Sequence, residues 1–304
     1  GLNAALTADA YGVKTTLIDE GYAVGGQLKQ QTQLISHLPT PFKKQRGTSL
    51  LKTLSDQLSA SNVDVLLRHT MIGAYKDGRI AVSNGNSTFP INAQKVIITT
   101  GAAEEPSLFP GWTKPGIMTV GAAQILMNRE FVLPGKNALI LGSNDFSLEV
   151  ARQLKACGVT VHGIIESSHQ LHSQNEALIQ AIKDDDIKLF LNSFISHASG
   201  ADQVETVTVN HDGEEQNYEV DLVCIGHGVT PILEPFDIMG CTLTYQEHLG
   251  GWLPAYDKTL ETSQPSIFVA GNAAGITCMG AILLPGEIAG ISALQSLGII
   301  DHEQ

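Results

Sequence analysis

The sequence predicts an α/β fold of two strand–helix–strand domains, each with a central parallel sheet and a small β-meander. Three observations carry this. Residues 137–141 and 267–270 are apolar runs too short for a globular helix, as strands buried in a parallel sheet are. Glycine follows both runs directly, at Gly142 and Gly271, and Gly101 likewise closes the run 95–100. Residues 48–61 carry Leu50, Leu51, Leu54 and Leu58 at helical spacing, so strand and helix patterns alternate along the chain.

In chain order, residues 1–10 read as the opening of a helix and 14–19 as a strand ending in Asp19 and Glu20. This is the second half of a Rossmann-like dinucleotide-binding unit, in which an acid at the strand end bonds ribose hydroxyls. Gly1 then stands as the third glycine of G-x-G-x-x-G, with the first strand and the opening glycines expected before it. The pair Gly25 and Gly26, followed by Gln27, lets backbone approach a flat ligand or simply turns a loop. After the helix at 48–61, strands are expected at 63–67, 71–75, 79–83 and 88–91, with turns at 76–79 and 83–86, before the return strand 95–100.

Residues 104–112 are proline-rich and read as a crossing between domains. Beyond them come a helix at 121–128, a strand at 137–141, a helix at 148–157 and a strand at 160–165 that runs into Glu166. This second unit carries G-S-N-D-F-S at 142–147, so Gly142 keeps the first glycine while Asn144 and Ser147 replace the second and third. Glu166 lies roughly where the ribose acid of such a unit belongs. The unit reads either as a nicotinamide-dinucleotide site, NADH favoured over its 2′-phosphate, or as a relic kept for packing. Strands at 189–194, 204–210 and 218–224 complete it, and 225–231 leads back. The expected domains are 1–112, 113–232 and 233–304, the first and last forming one lobe and the middle one inserted. The terminal helix is expected at about 286–297.

The net charge of −13 leaves no basic surface for a nucleic-acid backbone. No apolar stretch approaches the ~20 residues of a membrane span, and the first residues lack a signal-peptide pattern. A cytoplasmic protein is expected. The four cysteines, Cys157, Cys224, Cys241 and Cys278, form no C-x-x-C pair, and Cys278 is singled out only for its place in a glycine loop. His169 and His172, three apart on what reads as a solvated helix, suggest no metal site.

The segment Thr262 to Asn272, T-S-Q-P-S-I-F-V-A-G-N, resembles the second FAD-binding motif of the two-dinucleotide-fold flavoproteins. The resemblance implies that Asn272, where the family has aspartate, bonds the ribityl chain. It implies too that a helix N-terminus at Gly280 and Ala281 faces the flavin's pyrimidine edge. Between Asn272 and Ile291 there is no Lys, Arg or His, so only backbone N–H groups and the helix dipole can meet negative charge there. By the same resemblance to thioredoxin-reductase-like flavoproteins, Gly26 and Gln27 lie near the ribityl and isoalloxazine. Met71 offers backbone groups to adenine, and Thr100 and Gly101 belong to the strand that returns to the FAD sheet.

The run from Phe109 to Gln124, with 249–254 and 269–275, looks like the FAD subunits related to hydrogen cyanide synthase, opine oxidase and the sarcosine oxidase alpha chain. Where thioredoxin reductases carry C-x-x-C, this chain has Val120, Gly121, Ala122 and Ala123, so no dithiol mechanism is expected. The resemblance implies an FAD-dependent oxidoreductase acting on a small amine, amino acid or opine-like substrate, with NAD(P)H as a second candidate cofactor. A homodimer or a partner subunit of a dehydrogenase complex is implied as well. The alternative is a non-catalytic nucleotide-binding or electron-relay subunit. No catalytic acid or base can be named from the residues.

Overall fold

A computed structural model describes residues 1–35, 38–75, 79–277 and 280–301. The chain divides into two compact units, one formed by Gly1–Ala103 with Thr230–Gln304 and the other by Glu104–Val229. The first crossing falls nine residues before the expected boundary at 112/113, because residues 104–112 pack with the second unit. Phe109 is buried in that unit's core with Leu139 and Ile195. The Ala198 N–H donates to the Pro110 carbonyl at 2.8 Å, and the Val204 N–H to Pro115 at 2.9 Å. The return crossing, at 229/230, is close to the expected 232/233.

The second unit is a parallel sheet of five strands in the spatial order Ile117–Thr119, Leu222–Ile225, Asn137–Leu141, Thr160–Ile165, Leu189–Phe190. Strand residues alternate between faces, and both faces here are apolar. Ala138 and Ile140 join a core with Leu148, Ala151 and Leu154 of the helix Asp145–Ala156. Leu139 and Leu141 face the other way, onto Val207 and Val209 of the antiparallel meander Ser193–Ser199, Thr206–His211, Glu214–Glu219. Burial on both sides explains why residues 138–141 are apolar throughout rather than alternating.

Three expectations for this unit are corrected. The strand expected at 189–194 is two strands in different sheets, broken where Asn192 adopts φ +49°; asparagine tolerates that left-handed backbone. The strand expected at 218–224 is broken at Asp221, whose carboxylate accepts from the backbone N–H groups of Lys136 at 2.8 Å and Asn137 at 2.7 Å. His169 and His172 lie in an irregular segment rather than on a helix. The helix that follows, Glu176–Asp184, was not expected; it buries Leu178 and Ile182 and is capped by Asn175.

In the first unit, the parallel strands appear as two pairs, Thr16–Asp19 with Asp64–Leu67 and Val96–Ile98 with Ile267–Val269, not joined to each other among the described residues. The meander is Thr70–Ala74, Arg79–Ser83 and Thr88–Asn92; the expected turn at 76–78 lies outside the described residues. The helix Gly47–Ser59 buries Leu50, Leu54 and Leu58 against Leu2 and Leu283. The last helix, Leu283–Ser296, begins three residues earlier than expected and places Ala289 and Ala293 on Phe268 and Ala270. Pro285 sits in its first turn, where its missing N–H would have had no intrahelical acceptor.

That helix lies close along Leu2–Ala10. Asn3 Nδ2 donates to the Leu283 carbonyl at 2.8 Å. A Cβ on Gly290 would stand 2.9 Å from Thr7 Cβ and 3.2 Å from the Ala4 carbonyl oxygen. Gly290→Leu would have to push the two helices apart and is expected to lower stability by about 1–3 kcal/mol, read as a lower urea midpoint with an unchanged m-value.

Candidate functional site

In the first unit, the strand Ile267–Val269 runs past Ala270 to Gly271, which adopts φ +70° and starts a single 3-10 turn, Gly271–Ala274. Asn272 is held in that turn. Its Oδ1 is buried and has no hydrogen-bond partner among the described residues. A buried acceptor left unmet costs about 1–3 kcal/mol, and the described residues supply no donor for this one. A hydroxyl-bearing chain such as ribityl is a donor of that kind.

The other sequence-predicted glycines of this unit divide into two groups. Gly26, at φ +48°, and Gly101, at φ +81°, have nothing within 4 Å of a Cβ, so the space beside them is open. Gly25 and Gly1 instead sit close against side chains of the protein itself. A Cβ on Gly25 would meet Leu51 Cδ1 at 2.3 Å, and one on Gly1 would meet Thr99 Oγ1 at 2.9 Å. Gly1 directly precedes the helix Leu2–Ala10. Gln27 is exposed, with its side-chain oxygen accepting from Gln30 Nε2 at 2.6 Å. Thr100 is exposed beyond the strand Val96–Ile98. Gly280 and Ala281 form the turn before the last helix rather than its first turn, and the Ala281 carbonyl accepts from the Leu284 N–H at 3.2 Å. Cys278 lies outside the described residues.

The two strand-end acids also part company. Asp19 Oδ1 turns back to accept from the Gly21 N–H at 2.8 Å. Glu20 is exposed and lines a cleft of about 460 Å³ with Tyr22, Arg68, Thr70, Ile72 and Ser83. Met71 is not in that lining: it lies opposite Val82, and its neighbours Thr70 and Ile72 face the cleft instead. Arg68 is the residue that sequence reasoning missed. It adopts φ +58° just after the strand Asp64–Leu67, and its guanidinium lies 5.2 Å from the centre of the Tyr22 ring. Nothing in the local pattern marks it; its place depends on pairing with a strand far away in sequence.

In the second unit, Gly142 has φ +101°, and a Cβ there would stand 2.3 Å from the Gly226 carbonyl oxygen. Asn144 caps the helix Asp145–Ala156, accepting from the Ser147 N–H at 2.9 Å while its Nδ2 donates to the Gly226 carbonyl at 2.7 Å. The helix therefore begins three residues earlier than expected. Ser147 is fully buried, and its Oγ donates to the same carbonyl at 2.9 Å. Glu166 is only 3% exposed. Its Oε2 accepts from Ser143 Oγ at 2.6 Å, its Oε1 from the Ser168 N–H at 2.9 Å, and His172 Nδ1 is 3.7 Å away.

Burial pushes the Glu166 carboxyl up, but the hydrogen bonds from Ser143 and Ser168 and the nearby His172 outweigh it and leave it below the ordinary glutamate value. A lowered folded-state value means that the stability from these contacts is complete above the unfolded value and is lost as pH falls through the folded one. Exchange protection of the Ser168 amide is expected to persist from neutral pH through the ordinary glutamate range near about 4.3 and to fall only below it. Loss of protection already above that range would overturn this account of Glu166.

Val120 and Ala123 are buried in the core of the second unit. The Gly121 N–H donates to Glu104 Oε1 at 2.8 Å. Of the described cysteines, Cys224 and Cys241 are buried and Cys157 is exposed, all as free thiols. No group that could hold a metal occurs among the described residues, and no helix among them is long and apolar enough to cross a membrane. At Gly271 a β-branched residue would be strained, so Gly271→Val is expected to displace Asn272 and to abolish flavin retention. The check is flavin stoichiometry after purification; full occupancy in that variant would remove this turn from the site.

Comparison with known proteins follows the same lines. The alpha chain of sarcosine oxidase from Rhizobium meliloti is 28% identical over 316 aligned positions, covering 98% of this chain and 30% of that protein. An opine oxidase subunit from Rhizobium meliloti is 27% identical, covering 99% of this chain and 61% of that protein. The hydrogen cyanide synthase subunit HcnB of Pseudomonas protegens is 25% identical, with coverages of 100% and 70%. The chain thus spans 30% and 61% of the lengths of the first two relatives. Among solved structures, T. acidophilum thioredoxin reductase superposes with a TM-score of 0.80 at 21% identity, covering 98% of this chain and 95% of that one, a likeness of fold. The sequence pattern of the pyridine nucleotide-disulphide oxidoreductases matches residues 1–290. The chain belongs to the pyridine nucleotide-disulphide oxidoreductase family, an FAD-binding family whose α/β fold it shares.

Proposed function

We propose that this protein transfers a hydride between FAD and a small amine, amino acid or opine-like substrate, as one subunit of a larger cytoplasmic assembly. The observation that carries the reading is the buried, unpartnered Asn272 acceptor at the glycine end of the strand Ile267–Val269. In this reading Asn272 takes a ribityl hydroxyl, and Gly26 and Gly101 leave room for the cofactor's flat parts. Glu20 holds the ribose end, with Arg68 and Tyr22 beside it. Bound FAD would supply the hydride acceptor, while the chain's residues orient it and set its electrostatics.

Two further points support the substrate class and the assembly. The relatives are named for sarcosine, opine and hydrogen cyanide, and each is called a subunit. The position of the reductase dithiol is filled by Val120 and Ala123, both buried and apolar, which favours a substrate that reacts with flavin directly. A dithiol relay would need two thiols within reach of each other, and Cys224, buried with its thiol pushed far up by burial, is a poor nucleophile.

The purified protein is expected to be yellow, with a flavin absorption band that bleaches under anaerobic conditions on adding sarcosine or an opine. A colourless protein that takes up no FAD on reconstitution would overturn the reading. A yellow protein that no amine bleaches, but that a partner subunit reduces, would favour the electron-relay alternative.

A further inference from the structure

The second unit has the plan of a dinucleotide site, and in such a turn the pyrophosphate lies on the N-terminus of the helix while the strand-end acid takes ribose hydroxyls. Here both places are filled by the chain. The segment after Glu166 folds back over the turn: the Ser173 N–H donates to the Ser143 carbonyl at 2.9 Å, and the His172 N–H donates to Ser143 Oγ at 2.9 Å. Ser173 Oγ donates to Asp145 Oδ1 at 2.5 Å, and the Asn175 N–H donates to Ser173 Oγ at 3.2 Å. At the helix start, Asn144 takes the Ser147 N–H. Asp145 supplies in its first turn the negative charge that the dipole favours. A pyrophosphate would meet that carboxylate at close range. Glu166 is 3% exposed, with Ser143 Oγ on one oxygen and the Ser168 N–H on the other, so its carboxylate is closed off from a ribose by burial.

We propose that residues 167–175 are a built-in plug of the second dinucleotide turn, fastened by Ser143, Asp145 and Ser173, and that it shuts pyridine nucleotide out of this unit. The residues therefore do not fit the group that the fold implies at this place. The inference stands on the second unit alone and does not depend on the flavin reading. It also separates two effects that the degenerate fingerprint merges. Asn144 and Ser147 narrow the approach, whereas the plug fills what remains, and only the plug can be released by removing the single side-chain link between Ser173 and Asp145.

The test is a calorimetric titration of the purified full chain with NADH, with hydrogen exchange at residues 172 and 173 alongside. The wild-type protein is expected to show no saturable binding below about 1 mM, and its two amides to stay protected with or without NADH. Ser173→Ala removes the link to Asp145 and the support of Asn175, and should speed exchange at both amides and tighten NADH binding roughly tenfold. Asp145→Ala cuts the same link from the other side and removes the opposing charge. Saturable wild-type binding at micromolar NADH would overturn the proposal. So would failure of both variants to bind NADH more tightly than the wild type, since the turn would then be closed by something other than the plug.

Discussion

The second unit depends on the approach of two strand ends with no side chain between them. The strands Asn137–Leu141 and Leu222–Ile225 run parallel and in register, and the glycines that follow them, Gly142 and Gly226, face each other. A Cβ on Gly142 would stand 2.3 Å from the Gly226 carbonyl oxygen, and one on Gly226 would stand 2.1 Å from Ser147 Oγ. Two bare backbones are what leave that carbonyl reachable. It accepts from Asn144 and from Ser147, and through them it fixes where the helix Asp145–Ala156 begins. Once the helix start is fixed, Leu148, Ala151 and Leu154 fall onto Ala138 and Ile140 across the sheet.

The first unit uses the same kind of strand end to a different result. After Ile267–Val269 the turn at Gly271 leaves the Asn272 amide oxygen buried and unmet, and the glycines at 26 and 101 leave space that no described residue fills. An unmet buried acceptor is a cost that folding alone does not recover. In the turn of the second unit, the side chains of Asn144, Ser147 and Glu166 all find partners within the chain. The two turns thus differ in whether their polar side chains find partners within the chain, a difference visible in hydrogen bonds rather than in fold.

Much of the architecture was legible in the sequence because it is local. The run 138–141 is apolar on both faces, and 160–165 and 79–83 stand where their patterns place them. What escaped is set by partners distant in the chain. Asp221 interrupts an otherwise continuous strand pattern because its carboxylate is used by Lys136 and Asn137. Residues 104–112 look like a strap, yet Phe109 belongs to the core of the second unit. Arg68 reaches the cleft beside Glu20 only through strand pairing. The helix Glu176–Asp184 had a readable signal, Asn175 with Glu176 before the spaced pair Leu178 and Ile182, and follows so polar a segment that the start is easily passed over.

At Asn144 the same residue reads in opposite ways at the two levels. As a fingerprint position it is a defect, since a side chain stands where glycine lets backbone approach a pyrophosphate. As a helix start it is an improvement: an asparagine N-cap is worth about 1 kcal/mol over an uncapped end, and here the amide reaches the Gly226 carbonyl as well. Ser147 follows the same logic, trading the third glycine for a buried hydroxyl with two partners in the turn. A dinucleotide turn contributes anion affinity through backbone N–H groups that the protein leaves unpaired. When side chains satisfy those groups, the turn gains stability by the same hydrogen bonds that cost it affinity. The second unit can therefore keep its sheet, its helices and its core while its turn ceases to require a ligand.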